Sequence, residues 1–231
     1  MKPSQVFKLY GVQTDELSCF LKENAVEFSL TINGSDVLLK IDYSALSTAQ
    51  IDGFLKEFLS KFSKYIYAET DISLKEQLLK ILTLRKAKIS VAESFTGGRL
   101  SSAITSVSGA SKVFYEGVVA YSPDAKHDRL GVSYQILDTF KPVSSQVASE
   151  MCKGLLEKGC DFAISTTGIA GPTSDDSDFP VGLCYIGIGS KSKITVFKHK
   201  FKGTREDITN LGVTTALFHA VTALRSGDFD V

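Results

Sequence analysis

The feature that most narrows the fold is a hydrophobic period that switches repeatedly beyond residue 70. Short apolar runs of strand length alternate there with stretches whose apolar residues recur every three or four positions. Lys88–Ala92 reads as a short buried strand, Gly97–Thr105 as a helix and Phe114–Tyr121 as a second strand. Ser122-Pro123 opens a short helix that stops at Gly131, with proline at the first helical position. Ser144–Lys158 carries Val147, Met151 and Leu155 four apart and reads as an amphipathic helix ending at Gly159. Asp161–Thr166 is a strand. Val181–Gly189 and Ile194–Lys202 are two more, joined by the polar turn Ser190–Lys193, and Thr204–Asp207 caps a final long helix. Helices alternate with strands, but the late hairpin breaks strict βαβ order. The predicted fold is therefore α/β, a three-layer α/β/α sandwich with a mixed sheet.

A different pattern precedes it. An extended segment Gln5–Tyr10 is followed by a helix opening at Thr14 with Leu17, Phe20 and Leu21 on one face. The period then drops to two: Phe28, Leu30 and Ile32, the turn Asn33-Gly34, and Val37, Leu39 and Ile41 predict a hairpin. A helix over Thr48–Phe62 and a short strand Tyr65–Tyr67 close the unit. Strand, helix, hairpin, helix, strand is a small α+β arrangement of ferredoxin-like type, with two helices on one sheet face. Ser73 and Glu76 form a capping box ahead of Leu78, Leu79 and Leu82, so a new helix starts just beyond it and ends near Arg85-Lys86. The expected division is residues 1–70 and 71–231.

Composition excludes several classes. Lys plus Arg and Asp plus Glu are both 26 in 231 residues, so the basic excess of an extended nucleic-acid footprint is missing. Apolar residues at 43% with 5 prolines match neither a disordered nor a membrane chain. No stretch approaches the ~20 apolar residues of a membrane span, and no apolar run follows Met1-Lys2, so a cytoplasmic location without membrane partners is expected. Cys19, Cys152, Cys160 and Cys184 lack metal or disulfide spacing and are expected as core residues, while His127, His199 and His219 are scattered. No metal and no cofactor are expected, and a hydrolase built on this chain has to work without a histidine base.

Three predicted strand ends carry chemistry. In Ala92-Glu93-Ser94-Phe95-Thr96-Gly97-Gly98 a serine stands where a buried strand gives way to a helix. Either the helix start turns backbone N–H groups toward an anion or oxyanion, or Ser94 or Thr96 is simply a helix cap. In Tyr121-Ser122-Pro123-Asp124-Ala125-Lys126 a lysine emerges near a helix start. The helix dipole disfavours its charged form there and lowers its pKa, or it is an ordinary solvated lysine. Thr166-Thr167-Gly168-Ile169-Ala170-Gly171-Pro172 is a loop whose bare backbone lets a ligand approach closely, or an ordinary turn. Together the three favour a site, because ligands of open α/β sheets bind at the carboxyl ends of strands.

Those segments, with Gly117–Ser122 and Pro180-Val181-Gly182, resemble the carboxy-terminal domain of the CinA (competence/damage-inducible) proteins over about residues 72–225. Residues 5–70 resemble the small KH-like domain that precedes it in longer members. The molybdopterin-binding-like domain that usually stands first is outside the resemblance, and its pyrophosphatase activity is not expected. The resemblance implies a nicotinamide-nucleotide amidase, converting nicotinamide mononucleotide and water to nicotinate mononucleotide and ammonia, in a homodimer. It further implies Ser94 as nucleophile, Lys126 as general base and Tyr121 as an assisting group. Backbone around Phe95, Thr96, Gly97 and Gly98 is expected at the oxyanion, and Thr167, Gly168, Ile169, Ala170, Gly171 and Arg205 around the ribose and phosphate.

Two departures bear on that expectation. Phe95 stands where the family usually has cysteine, a bulk expected to reshape the pocket. Asp175, Asp176 and Asp178 occupy a loop that is typically glycine-rich, where carboxylates repel a phosphate. A reading from another class is a non-catalytic nucleotide-binding or scaffold protein that keeps the fold. Nucleic-acid binding by the first domain is not expected, since residues 1–86 contain no Gly-x-x-Gly. Lys191, Lys193, Lys198, Lys200 and Lys202 are expected as a solvated hairpin, which leaves a mononucleotide as the expected anionic partner.

Overall fold

The computed structural model describes residues 4–173, 179–227, 229 and 231. The chain forms two compact units, one reaching Gln77 and the other starting at Leu78. That division falls inside the helix over Leu74–Arg85.

The first unit runs β1 (Ser4–Tyr10), α1 (Thr14–Glu23), β2 (Glu27–Asn33), β3 (Asp36–Asp42), α2 (Thr48–Phe62) and β4 (Ile66–Ala68). Its antiparallel sheet has the order β2-β3-β1-β4, the ferredoxin-like arrangement expected. Asn33 pairs with Asp36, so the two-residue loop is Gly34-Ser35, and Gly34 takes the positive φ of 59° that the turn requires. A capping box of Ser47 and Gln50 starts α2. The buried rings of Phe7, Phe20, Phe54, Phe58 and Phe62 meet in the core, with Phe7 and Phe58 centroids 4.9 Å apart. Each such ring taken from water contributes roughly 1.5–3 kcal/mol, which lets so small a sheet hold. Cys19 is exposed on α1 and bonds Glu23, unlike the three other cysteines, which are buried as expected.

The expected capping box of Ser73 and Glu76 forms ahead of α3 (Leu74–Arg85). The second unit continues with β5 (Ile89–Glu93), α4 (Arg99–Thr105), β6 (Phe114–Val119), α5 (Pro123–Leu130), α6 (Tyr134–Phe140), α7 (Ser145–Glu157), β7 (Phe162–Gly168), β8 (Leu183–Ser190), β9 (Ile194–Lys200) and α8 (Arg205–Ser226). The sheet order is β6-β5-β7-β8-β9, with β6, β5 and β7 parallel and β8 and β9 antiparallel, the mixed sheet predicted. Every residue of β5 is buried, as a central strand covered on both faces requires. Helix α4 packs with α8 on one face, while α5 and α6 join α7 on the other.

Two sequence expectations need correction. Helix α4 starts at Arg99 instead of Gly97, because Gly97 and Gly98 take left-handed φ values of 57° and 92° and form a turn. Helix α6, capped by Ser133, was not foreseen. The site depends on chain direction: β5 leaves the sheet toward the α4 face and β6 toward the α7 face. Neighbouring parallel strands that exit to opposite faces open a crevice between their carboxyl ends.

Candidate active site

Ser94 follows directly after β5, and its N–H still bonds Thr166 O of β7 at 2.9 Å, which fixes it at the crevice. From the other side, Ser122 caps α5 and bonds Ala125 N, so the helix carries Lys126 inward in its first turn. Lys126 is 1% exposed, and its Nζ lies 3.0 Å from Ser94 Oγ, 3.0 Å from Ala120 O and 3.3 Å from Tyr121 O. The solvated-lysine alternative is thereby corrected. Burial lowers its pKa from 10.5 to about 8, a different cause from the helix dipole expected. A neutral amine has two hydrogens and one lone pair. With both carbonyls accepting the hydrogens, the lone pair is left for the Ser94 hydroxyl.

The Tyr121 phenol is placed differently from expectation. It accepts a bond from Arg205 Nη2 at 2.8 Å, and among the described residues no hydrogen bond joins it to Ser94 or Lys126. Tyr121 meets Lys126 through its main-chain carbonyl. Arg205, the first residue of α8 behind the Thr204 cap, also donates through Nη1 to Gly171 O.

Ser94, Phe95, Tyr121, Lys126, Thr167, Gly168, Ile169, Ala170, Gly171 and Arg205, all sequence candidates, line one cavity of about 280 Å³. Pro123, Pro142, Val143 and Thr173 line it too and were not foreseen. The Thr167 hydroxyl donates to Pro142 O at 2.7 Å, tying the end of β7 to the segment between α6 and α7. Pro142 and Val143 follow α6, whose signal in the sequence is Ile136, Leu137 and Phe140 after a capping Ser133. Gly168 has no room for a Cβ, which would lie 2.5 Å from Cys184 Cβ, so a bare backbone is needed where β7 meets β8.

Three sequence candidates do not line the cavity. Thr96 is buried with its hydroxyl 2.7 Å from that of Thr166, a core contact. Gly97 N bonds back to Ser94 O, and Gly98 N bonds Glu93 Oε2 at 2.9 Å. The expected anion site at the helix start is therefore already filled by a side chain of the protein. Among the described residues, the N–H groups of Phe95 and Thr96 donate to no protein acceptor. Phe95, expected to reshape the pocket, lines the cavity while its ring packs with Ala170, Cys184 and Ile208 and against Gly212 of α8. The Asp175, Asp176 and Asp178 loop lies outside the described residues.

No histidine lines the cavity. His199 and His219 pair elsewhere, Nε2 to Nε2 at 2.9 Å, and burial and then the His199 charge push His219 down to about 4. Among the described residues no group of three His, Cys, Asp or Glu side chains is arranged to hold a metal, and no helix is long and apolar enough to cross a membrane.

Comparison with known proteins places the chain in a family. The CinA C-terminal domain matches residues 71–224. A CinA-like protein of Kosmotoga olearia is 41% identical over 187 residues, covering 79% of this chain and 45% of its own length. One of Fusobacterium nucleatum is 34% identical over 221 residues, covering 93% and 54%. The chain spans about half the length of these curated relatives. Among solved structures, the competence/damage-inducible protein of Agrobacterium tumefaciens aligns with a TM-score of 0.63 at 35% identity, over 66% of this chain and 93% of that one. A CinA superfamily protein of Klebsiella pneumoniae aligns at 0.64 and 28%, over 66% and 96%. With a mixed-sheet α/β fold shared with those structures and a family match over residues 71–224, the chain belongs to the CinA family.

Proposed function

We propose that this protein is a nicotinamide-nucleotide amidase, hydrolysing nicotinamide mononucleotide to nicotinate mononucleotide and ammonia. The observation that carries the reading is the buried Lys126 amine 3.0 Å from Ser94 Oγ, with its basicity lowered into a useful range. Neutral Lys126 takes the hydroxyl proton as Ser94 Oγ attacks the amide carbon. The oxyanion of the tetrahedral intermediate accepts a bond from the N–H group of Phe95, which lines the cavity. Lys126 returns the proton to the amide nitrogen, the C–N bond breaks and ammonia leaves an acyl-Ser94. Water then attacks the ester, deprotonated by Lys126, and the carboxylate product leaves with Ser94 restored. Arg205 and the loop over Gly168–Gly171 hold the nucleotide's ribose and phosphate, since a guanidinium suits a phosphate.

A positioned general base is worth about 10²–10⁴ in rate, and each oxyanion donor a comparable factor. The test is ammonia release from nicotinamide mononucleotide by purified protein. Turnover by the native chain and none by Ser94→Ala is the expected outcome. No turnover of any pyridine nucleotide amide by the native chain overturns the proposal.

A further inference from the structure

Glu93 is fully buried at the end of β5, immediately before Ser94. A carboxylate in such a position is costly unless every oxygen is bonded. Here Oε2 accepts from Gly98 N at 2.9 Å and Leu100 N at 3.0 Å, and Oε1 from Ser101 N at 2.8 Å and Ser101 Oγ at 2.6 Å. All four contacts are donors, which suits the anionic form. The carboxylate thus satisfies the free N–H groups at the start of α4 and complements its dipole.

The geometry has a consequence for the residues between. Glu93 O accepts Ala120 N at 2.8 Å, and Ala120 O in turn accepts Lys126 Nζ. The main chain of Glu93 is therefore joined to the segment that carries the base, and its side chain to the far end of the turn Ser94–Gly98. With both ends fixed, Gly97 and Gly98 supply the left-handed backbone that closes the turn, and within it the N–H groups of Phe95 and Thr96 have no protein acceptor among the described residues. A plain helix cap stands beside its helix. Glu93 instead spans the nucleophile.

We infer that Glu93 is a positioning residue for the reaction at Ser94, its buried carboxylate holding the Ser94–Gly98 turn so that the Phe95 N–H group faces the developing oxyanion. The inference rests on the amidase reading for its reaction but not for its geometry, so the experiment reads Ser94 itself. The native protein and Glu93→Gln are treated with a small alkyl fluorophosphonate, and the rate of Ser94 adduct formation is followed by mass spectrometry from pH 6 to 10. Glutamine keeps the shape but turns an amide N–H₂ toward donors. The expected result is a plateau rate lower by about ten- to hundredfold, the scale of a displaced reacting geometry, with the midpoint of the pH profile unmoved.

General loosening around the site exposes Lys126 and moves that midpoint up toward the ordinary lysine value. A shifted midpoint, or an unchanged plateau, overturns the inference. Should Glu93→Gln not fold, Ser101→Ala removes only the shortest of the four bonds and is expected to slow labelling severalfold, again without a shift. If the native protein labels at Ser94 but releases no ammonia, the amidase reading fails while the positioning role is judged on the variants. If Ser94 does not label at all in the native protein, both fail.

Discussion

Lys126 links the catalytic proposal to an observable with a fixed sign. With a pKa of about 8, the neutral fraction is about a hundredth at pH 6, about a tenth at pH 7 and about half at pH 8. Under conditions where chemistry limits, log kcat/KM for nicotinamide mononucleotide is expected to rise with unit slope to about pH 8 and then level. Burial also couples to stability. The unfolded chain holds the Lys126 proton to about 10.5 and the folded one only to about 8, so between those values the unfolded state binds more protons and stability rises with pH. The total rise is about 3 kcal/mol, and the penalty for carrying the buried charge is fully present below about pH 8. Replacing Lys126 with methionine is expected to abolish turnover and to remove that part of the stability slope. Urea denaturation from pH 7 to 10.5, set beside a pH series of single-turnover rates, measures both. A rate profile flat from pH 6 to 9, or one whose midpoint lies near 10.5, refutes the reasoning, because either means that the amine is not a desolvated base.

Two further substitutions probe the walls of the site. A Cβ on Gly212 would lie 2.5 Å from Phe95 Cζ, so Gly212→Ala is expected to cost about 1–3 kcal/mol by overpacking, and much of that should be recovered in Phe95→Leu/Gly212→Ala. Additive losses in thermal denaturation count against the coupling. Arg205→Gln is expected to raise KM for the phosphorylated nucleotide with little change in kcat, and to leave turnover of the dephosphorylated nucleoside unaltered. An equal loss on both compounds removes Arg205 from the phosphate.

Much of the architecture was legible because it is written in local signals. The Ser122-Pro123 helix start and the Ser73 and Glu76 capping box each specify a backbone within a few residues, and the hairpin turn falls at Gly34-Ser35, one residue later than the expected Asn33-Gly34. That Ser94 and Lys126 belong to one site was legible from their shared place at strand ends. Their separation and the dryness of the lysine were not, since both depend on which faces successive strands exit. Phe95 shows the limit well: its bulk was expected to reshape the pocket, and the space that takes much of its ring is a missing side chain at Gly212, distant in the chain. Glu93 was unreadable for a related reason. A lone carboxylate ending a strand resembles a solvated residue until the helix start beside it supplies four donors. Gly97 and Gly98 were read as the start of that helix, whereas their left-handed backbone makes them the turn before it.

On the proposed function, in which Arg205 takes the nucleotide's phosphate, its bridge to Tyr121 and Gly171 changes what ligand capture would involve in thermodynamic terms. A free arginine at a cavity mouth would lose up to about 2 kcal/mol of rotamer entropy on gripping an anion. Here that ordering has occurred when the protein folds. The guanidinium meets an incoming phosphate already oriented, and whatever bonds the phosphate gains are set against those the phenol and the carbonyl give up. Capture would then be an exchange of partners, and selectivity for the anion would come from its charge, which neither of the oxygens it displaces can match.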